Sequence, residues 1–290
     1  MTLMETRVRV ASDDDDGPVG LIAGGGRLPF MVAEGVKRAG RQLAVVGFRG
    51  SVDMTLRTLA DRFSTAGVTR WSTIIRLLRR WGVRRAVMVG RVAKDNMYTP
   101  TRLLQFFPDW RTAKLWYMKL RKDRRDVKVL TAVADELAAE GIELISSVRY
   151  CTEHLAHEGL MTRTAPSPAA LADAEFGWRL ARASADMDIG QAIAVKERDI
   201  IAVEAMEGTD LMIERAGTIC RGGGWTLVKV ARHNQDMRMD VPTVGPATIK
   251  RLRLHGGACL IVEAERTIMV DKPKTLALAD QYRIPILGMK

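Results

Sequence analysis

The chain has 290 residues, of which 47% are hydrophobic and 27% charged, with a formal net charge of +11. That length accommodates two ordinary domains with a buried core, and no apolar run approaches the roughly 20 residues of a bilayer-spanning helix. The basic excess draws anions, yet zinc fingers, aromatic RNP stretches and basic zippers are all missing from the sequence, so nucleic acid is not an expected partner.

Residues 1–17, ending in Asp13–Asp16, lack the apolar core of a signal peptide and read as a flexible tail; export is not expected. From residue 18 to 150 the pattern alternates strand and helix: "VGLIAG", a helix from Pro29 to Arg38, "QLAVVGF", a helical "TIIRLLRRWG", "RAVMVGRV", then helices through "LLQFF" and "VKVLTAVADELAAEG". Alternation of this kind predicts a Rossmann-like α/β domain with a parallel sheet. Residues 151–166, rich in His, Thr, Ser, Gly and Pro, read as a linker, with a helix from Ala169. Residues 167–290 predict a smaller mixed α/β domain. Two strands in "IGQAIAVKERDIIAVEA" are followed by helices and strands down to "IPILGMK".

Four stretches are suited to chemistry. Gly24, Gly25 and Gly26 separate the first strand from a helix opened by Pro29. Bare backbone there allows close approach of a ligand, and the helix start offers N–H groups and a positive dipole end to a phosphate. A dinucleotide fold would want GxGxxG and an acidic residue closing the second strand; "GGGRLP" and "LAVVGFRG" supply neither, so NAD is not expected. Gly90 and Arg91 close the next apolar strand at the edge where open parallel sheets bind ligands. In the second domain, Thr209 and Asp210 open a helix that Gly217 is expected to cap, and Asp240 precedes a helix beginning near Pro246. Alone, the glycines are equally explained by a tight turn, Arg91 by solvent exposure, and Thr209 or Asp210 by an N-cap; two strand-to-helix junctions in one small domain that each present a carboxylate shift that balance.

Oxygen donors of this sort suit Mg²⁺ bridged to phosphates. His154, His157, His233 and His255 form no zinc or Ser–His–Asp pattern, leaving water attack on a phosphoryl group as the chemistry these residues favour. Cys151, Cys220 and Cys259 are odd in number and widely spaced, as expected of reduced thiols in a cytoplasmic protein. The runs Arg76, Arg79, Arg80, Arg84, Arg85 and Arg121, Lys122, Arg124, Arg125 read singly as solvated faces. Trp110, Trp116 and Tyr117 read mainly as core, with an acyl-chain groove or a membrane contact as the other readings.

Taken together, "GLIAGGGRLP", "VGRV", "DIGQAIAV", "VEAMEGTD" and "DVPTVGPATI" resemble, in order and across Gly20–Lys290, the UDP-2,3-diacylglucosamine pyrophosphatases of the LpxI type, which act in lipid A synthesis. The resemblance implies Mg²⁺-dependent hydrolysis of UDP-2,3-diacylglucosamine to UMP and 2,3-diacylglucosamine 1-phosphate. It further implies a cytoplasmic homodimer that meets its lipid substrate peripherally at the inner membrane, and a pocket between the two domains. Carried onto matching positions, the contacts would be Gly25, Gly26, Gly90 and Arg91 from the first domain and Gln191, Gly208, Thr209 and Asp210 from the second. The essential aspartate of the D-[VL]-P-T-[VI]-G motif corresponds to Asp240, as base or metal ligand; Asp240 and Asp210 are the metal candidates. The family's KGDD stretch is replaced by Arg124-Arg125-Asp126-Val127. From another class, a non-catalytic nucleotide-sugar or lipid-phosphate binding module would use the same glycines, though it would have no use for added carboxylates without a metal. The expectation with most at stake is spatial: Gly25 and Asp240 must meet at one diphosphate.

Overall fold

A computed structural model describes residues 17–92, 109–115, 117, 126–232 and 241–290. Asp13–Asp16, Trp116, Arg121, Lys122, Arg124, Arg125, His233 and Asp240 lie outside the described residues.

The first domain grows from central strands that are apolar except for a buried Arg85 at the head of one of them. β1 (Val19–Ala23), β2 (Leu43–Phe48) and β4 (Arg85–Val89) are buried along their whole length, as strands covered on both faces must be. With β3 (Arg62–Ala66) and β5 (Glu143–Leu144) they form one sheet of order β3-β2-β1-β4-β5, parallel throughout. Helix α1 (Leu28–Arg38) starts with Pro29 in its first turn and ends on Lys37 and Arg38, which suit the negative end of its dipole. Its Met31, Val32 and Val36 pack on Leu21, Val45 and Val87. Helices α2 (Trp71–Arg80) and α4 (Asp126–Ala139) cover the opposite face, where Ile74, Leu78, Val133 and Leu137 meet Ile22, Val46 and Ala86. Alternate residues of one strand thus serve two cores, each fully buried Leu or Ile contributing about 1.5–3 kcal/mol.

Between α2 and α4 lies the short helix α3 (Trp110–Leu115). Asp109 precedes it, its carboxylate accepting from Ser72 and Thr112 N–H; burial raises that carboxyl's pKa, and these bonds outweigh the effect and bring it below the usual range. Trp110 and Tyr117 are exposed rather than core: the cap at Asp109 fastens the start of α3 to α2 and leaves the Trp110 ring outside.

The second domain carries a six-stranded sheet of order β6-β13-β11-β9-β7-β8. Its centre, β9 (Trp225–Lys229), β11 (Gly257–Glu263) and β13 (Ile286–Met289), is parallel. β7 (Ala192–Lys196), β8 (Asp199–Val203) and β6 (Gly159–Leu160) join antiparallel. β6 falls within the 151–166 stretch, so that stretch contributes to the second sheet. Helix α5 (Pro168–Asp186), capped by the Ser167 hydroxyl, lies on one face. Its alanines and Gly177 allow close approach: a Cβ at Gly177 would sit 2.9 Å from Val195 Cγ2. Helices α6 (Gly208–Ile219), α7 (Pro246–Leu254) and α8 (Lys272–Tyr282) cover the other face. Gly217 does not end α6, which continues to Ile219; a Cβ there would meet His255 Cβ at 2.6 Å, so this glycine permits helix contact.

A two-stranded parallel ribbon of β10 (Thr243–Val244) and β12 (Ile268–Met269) lies at the junction. Ile268, Val241 and Val270 belong to the same apolar cluster as Val19, Leu21 and Val36, so the two domains share a core. Cys151 and Cys259 are buried, and burial pushes both thiols up to about 12, leaving them neutral and inert.

Candidate active site

In a doubly wound sheet, ligands sit outside the carboxyl ends of the strands where the strand order reverses. Here the reversal falls between β1 and β4, whose carboxyl ends carry Gly24–Gly26 and Gly90–Arg91. The two loops are fastened to each other: Gly25 N–H donates to the Arg91 carbonyl at 2.7 Å and Arg91 N–H to the Gly25 carbonyl at 2.9 Å. That contact requires missing side chains. A Cβ on Gly24 would lie 2.6 Å from the Gly90 carbonyl carbon, and Gly90 has φ +102°. Gly26 has φ +97° and open space around it, so its backbone faces the cavity unobstructed.

The cavity has a volume of about 670 Å³ and lies between the domains. Its first-domain wall includes Gly25, Gly26, Arg27, Gly90, Arg91 and Ser147. Its second-domain wall includes Gly208, Thr209, Asp210, Lys229, Val241 and the stretch Thr243–Thr248. The starts of α1, α6 and α7 all contribute to this lining, so three positive dipole ends meet at one space; α1 contributes chiefly its dipole, since Pro29 has no N–H and the Phe30 N–H donates to the Arg27 carbonyl at 3.1 Å. Such an arrangement attracts anions.

Charged side chains refine it. Lys229, only 9% exposed, closes β9 and donates from Nζ to Thr209 Oγ1 at 2.9 Å and to the Thr243 carbonyl at 3.1 Å. Thr209 in turn donates its hydroxyl proton to Glu204 Oε1 at 2.8 Å. Asp210 lies 3.3 Å from Arg251 Nε. Glu207 is held below the usual carboxylate range by its own backbone amide and by the Arg215 guanidinium. Among the described residues no group of three or more His, Cys, Asp or Glu side chains is placed to hold a metal. A Mg²⁺ shared with substrate phosphates takes only one or two protein carboxylates, and Asp210 on the cavity wall fits that role.

The cavity therefore gathers Gly25, Gly26, Gly90, Arg91, Gly208, Thr209 and Asp210. Gln191 is not among its lining residues; it sits beside the end of β9, its carbonyl accepting from Val230 N–H at 2.9 Å. Asp240 is outside the described residues, and the next residue, Val241, lines the cavity. The sequence reading did not single out Lys229; the available signal was a lysine ending a largely apolar strand, "WTLVK", at a carboxyl edge.

Fold and cavity define a two-domain α/β protein built around an anion-attracting cleft. The family model for the N-terminal domain of LpxI matches residues 18–154, and that for the LpxI C-terminal domain matches residues 157–287. The chain is also similar to the UDP-2,3-diacylglucosamine pyrophosphatase LpxI of Caulobacter vibrioides, with 32% identity over 281 aligned residues, covering 93% of this chain and 97% of that protein. The chain belongs to the LpxI family.

Proposed function

We propose that this protein hydrolyses the pyrophosphate bond of UDP-2,3-diacylglucosamine to UMP and 2,3-diacylglucosamine 1-phosphate, with Mg²⁺, in lipid A synthesis. The observation that carries the reading is the convergence of the glycine loops after β1 and β4 with the start of α6 on one cavity, in a chain of this family. A diphosphate is compact and multiply charged. Three helix starts, Arg91 and Lys229 supply positive potential for it without crowding.

In the reaction, the oxygen of one water forms a bond to a phosphorus of the diphosphate, and the P–O bond to the bridging oxygen breaks. The water's proton passes to a carboxylate, the role proposed for Asp240. Donors already aimed at the phosphoryl oxygens stabilise the developing charge without reorganising. When bound, Mg²⁺ would neutralise part of the diphosphate charge, with Asp210 as its proposed protein carboxylate and Asp240 as a ligand only in the alternative in which it is not the base. Homodimerisation, a cytoplasmic location and peripheral contact with the inner membrane belong to the same reading. Among the described residues no helix is long and apolar enough to cross a membrane.

The test is incubation of the purified protein with UDP-2,3-diacylglucosamine and MgCl₂, following UMP by chromatography, with Asp240→Ala alongside. UMP release that stops on chelation and falls by at least about 10³-fold in a folded Asp240→Ala protein is expected. Binding of the UDP-lipid with no turnover in the wild type would instead identify a binding module. A folded, fully active Asp240→Ala protein removes Asp240 from its role.

A further inference from the structure

We propose that Lys229 is the principal side-chain cation for the diphosphate, and that Thr209 and Glu204 are positioning residues that act through it.

The proton inventory of the three side chains fixes their order. An ammonium only donates, a carboxylate only accepts, and a hydroxyl has one proton to give. In the chain Lys229 Nζ to Thr209 Oγ1 to Glu204 Oε1, that one proton is directed to Glu204. Thr209 therefore meets its neighbours as an acceptor towards Lys229, and it can donate to a phosphate oxygen only by abandoning Glu204. Lys229 is fixed twice over, since the Thr243 carbonyl in β10 accepts from the same Nζ. One ammonium thereby ties the start of α6 to the strand that leads into α7, two of the elements whose N–H groups face the cavity.

Burial makes this placement informative. A lysine that is 9% exposed has lost most of its hydration, a cost tolerated only with good partners. Glu204 places a negative charge one hydroxyl away from it. Little water screens the ammonium from a diphosphate in the same cavity, so it acts more strongly than the exposed Arg91 on the opposite wall. A held cation also loses less freedom on binding than a mobile surface arginine.

The inference rests on the diphosphate reading only for the identity of the ligand, and the closing experiment measures binding without turnover. Inorganic pyrophosphate is titrated calorimetrically into wild type, Lys229→Met, Thr209→Val, Thr209→Ser and the double variant Thr209→Val/Lys229→Met, each first checked for folding by circular dichroism. Lys229→Met is expected to weaken pyrophosphate binding about 100-fold, as truncating a desolvated charge partner does. Thr209→Val should weaken it about 10-fold and Thr209→Ser should restore it, since serine keeps the relayed hydroxyl. The double variant should be no weaker than Lys229→Met alone, because Thr209 has nothing left to position. Effects of Thr209→Val and Lys229→Met that multiply overturn the relay. Unchanged binding in Lys229→Met, or no measurable binding by wild type, overturns the cation assignment. Should Lys229→Met fail to fold, the Thr209 pair decides, and equal affinities of the serine and valine variants overturn the proposal. Pyrophosphate binding that depends on Lys229 in a protein that releases no UMP would refute the hydrolase reading alone.

Discussion

On the first-domain side the cavity wall is largely peptide: Gly25 and Gly26 after β1, and Gly90 after β4, expose backbone with no side chain in the way. On the second-domain side it is largely side chain: Thr209, Asp210 and Lys229 project from the start of α6 and the end of β9. The first domain therefore contributes chiefly shape through bare backbone, while the second adds a buried ammonium and a carboxylate to the helix starts of α6 and α7. Backbone cannot be repositioned without moving the strand that carries it, whereas a charged side chain is replaceable at nearly constant volume. Damage to the first wall should thus register as lost stability, and damage to the second as altered binding and rate in a folded protein.

The sharpest way to break this comparison is Gly24→Ala. The added Cβ would lie 2.6 Å from both the Gly90 carbonyl carbon and the Arg91 carbonyl oxygen, backbone atoms that cannot swing aside. A loss of about 3 kcal/mol, the upper range for overpacking, is expected, which corresponds to a melting temperature lower by about 10 °C. A Gly24→Ala protein melting with the wild type would mean that the two loops are not fastened as described.

On the other wall, Asp210→Asn keeps volume and removes one charge from the cavity. If Asp210 holds Mg²⁺, the concentration for half-maximal UMP release should rise at least about 10-fold, since even outer partners of a metal are worth 10–100-fold. The melting temperature should stay within a few degrees, because the ion pair that is lost, to Arg251, is about one-third exposed at both ends. Unchanged Mg²⁺ dependence strikes Asp210 from the candidates.

Gly26→Ala sits between these cases. Nothing lies within 4 Å of its Cβ position, so the cost is confined to holding φ near +97°, about 1–2 kcal/mol. The new methyl would face the cavity, so KM for the UDP-lipid is expected to rise by about 10-fold with kcat much less altered. A pure stability loss with unchanged KM would place the ligand away from this backbone.

How much of this was legible beforehand follows from the same contrast. Backbone requirements are written into sequence as glycine at strand ends, and the strand–glycine–helix alternation placed Gly25, Gly26, Gly90 and Arg91 at one sheet edge. The parallel sheet was legible because strands and helices alternate along the chain, and β1, β2 and, after Arg85, β4 are apolar. Lys229 was not, because a lysine after four residues of strand is indistinguishable in sequence from one that leaves for solvent; only the fold, by setting α6 and β10 against it, buries the ammonium. Gln191 rested on the family motif alone, and among the described residues it is not part of the cavity lining. The ribbon of β10 and β12 has two residues per strand, too short for any period to register, yet it carries much of the domain junction. Gly217 looked like a helix stop, while its actual role depends on His255, thirty-eight positions away and invisible to local pattern.

The smallest effect is expected where the two walls meet. Arg27 at the start of α1 donates from Nε to Asp271 Oδ1 at 2.9 Å, joining the first domain to the residue before α8. The side chains are 42% and 30% exposed, and Arg27 also pairs with Glu34 at 3.0 Å, so it keeps a partner when Asp271 is neutralised. Asp271 has φ +46°, a left-handed conformation that asparagine also tolerates, so Asp271→Asn removes the charge without straining the turn. The melting temperature should fall by no more than the 2–4 °C that about 1 kcal/mol produces. The domains are joined chiefly by the shared apolar cluster, in which Ile268 is fully buried against first-domain residues. A much larger loss in Asp271→Asn would show that the join depends on this exposed pair, and that the division between a wall of backbone and a wall of charge fails at their common edge.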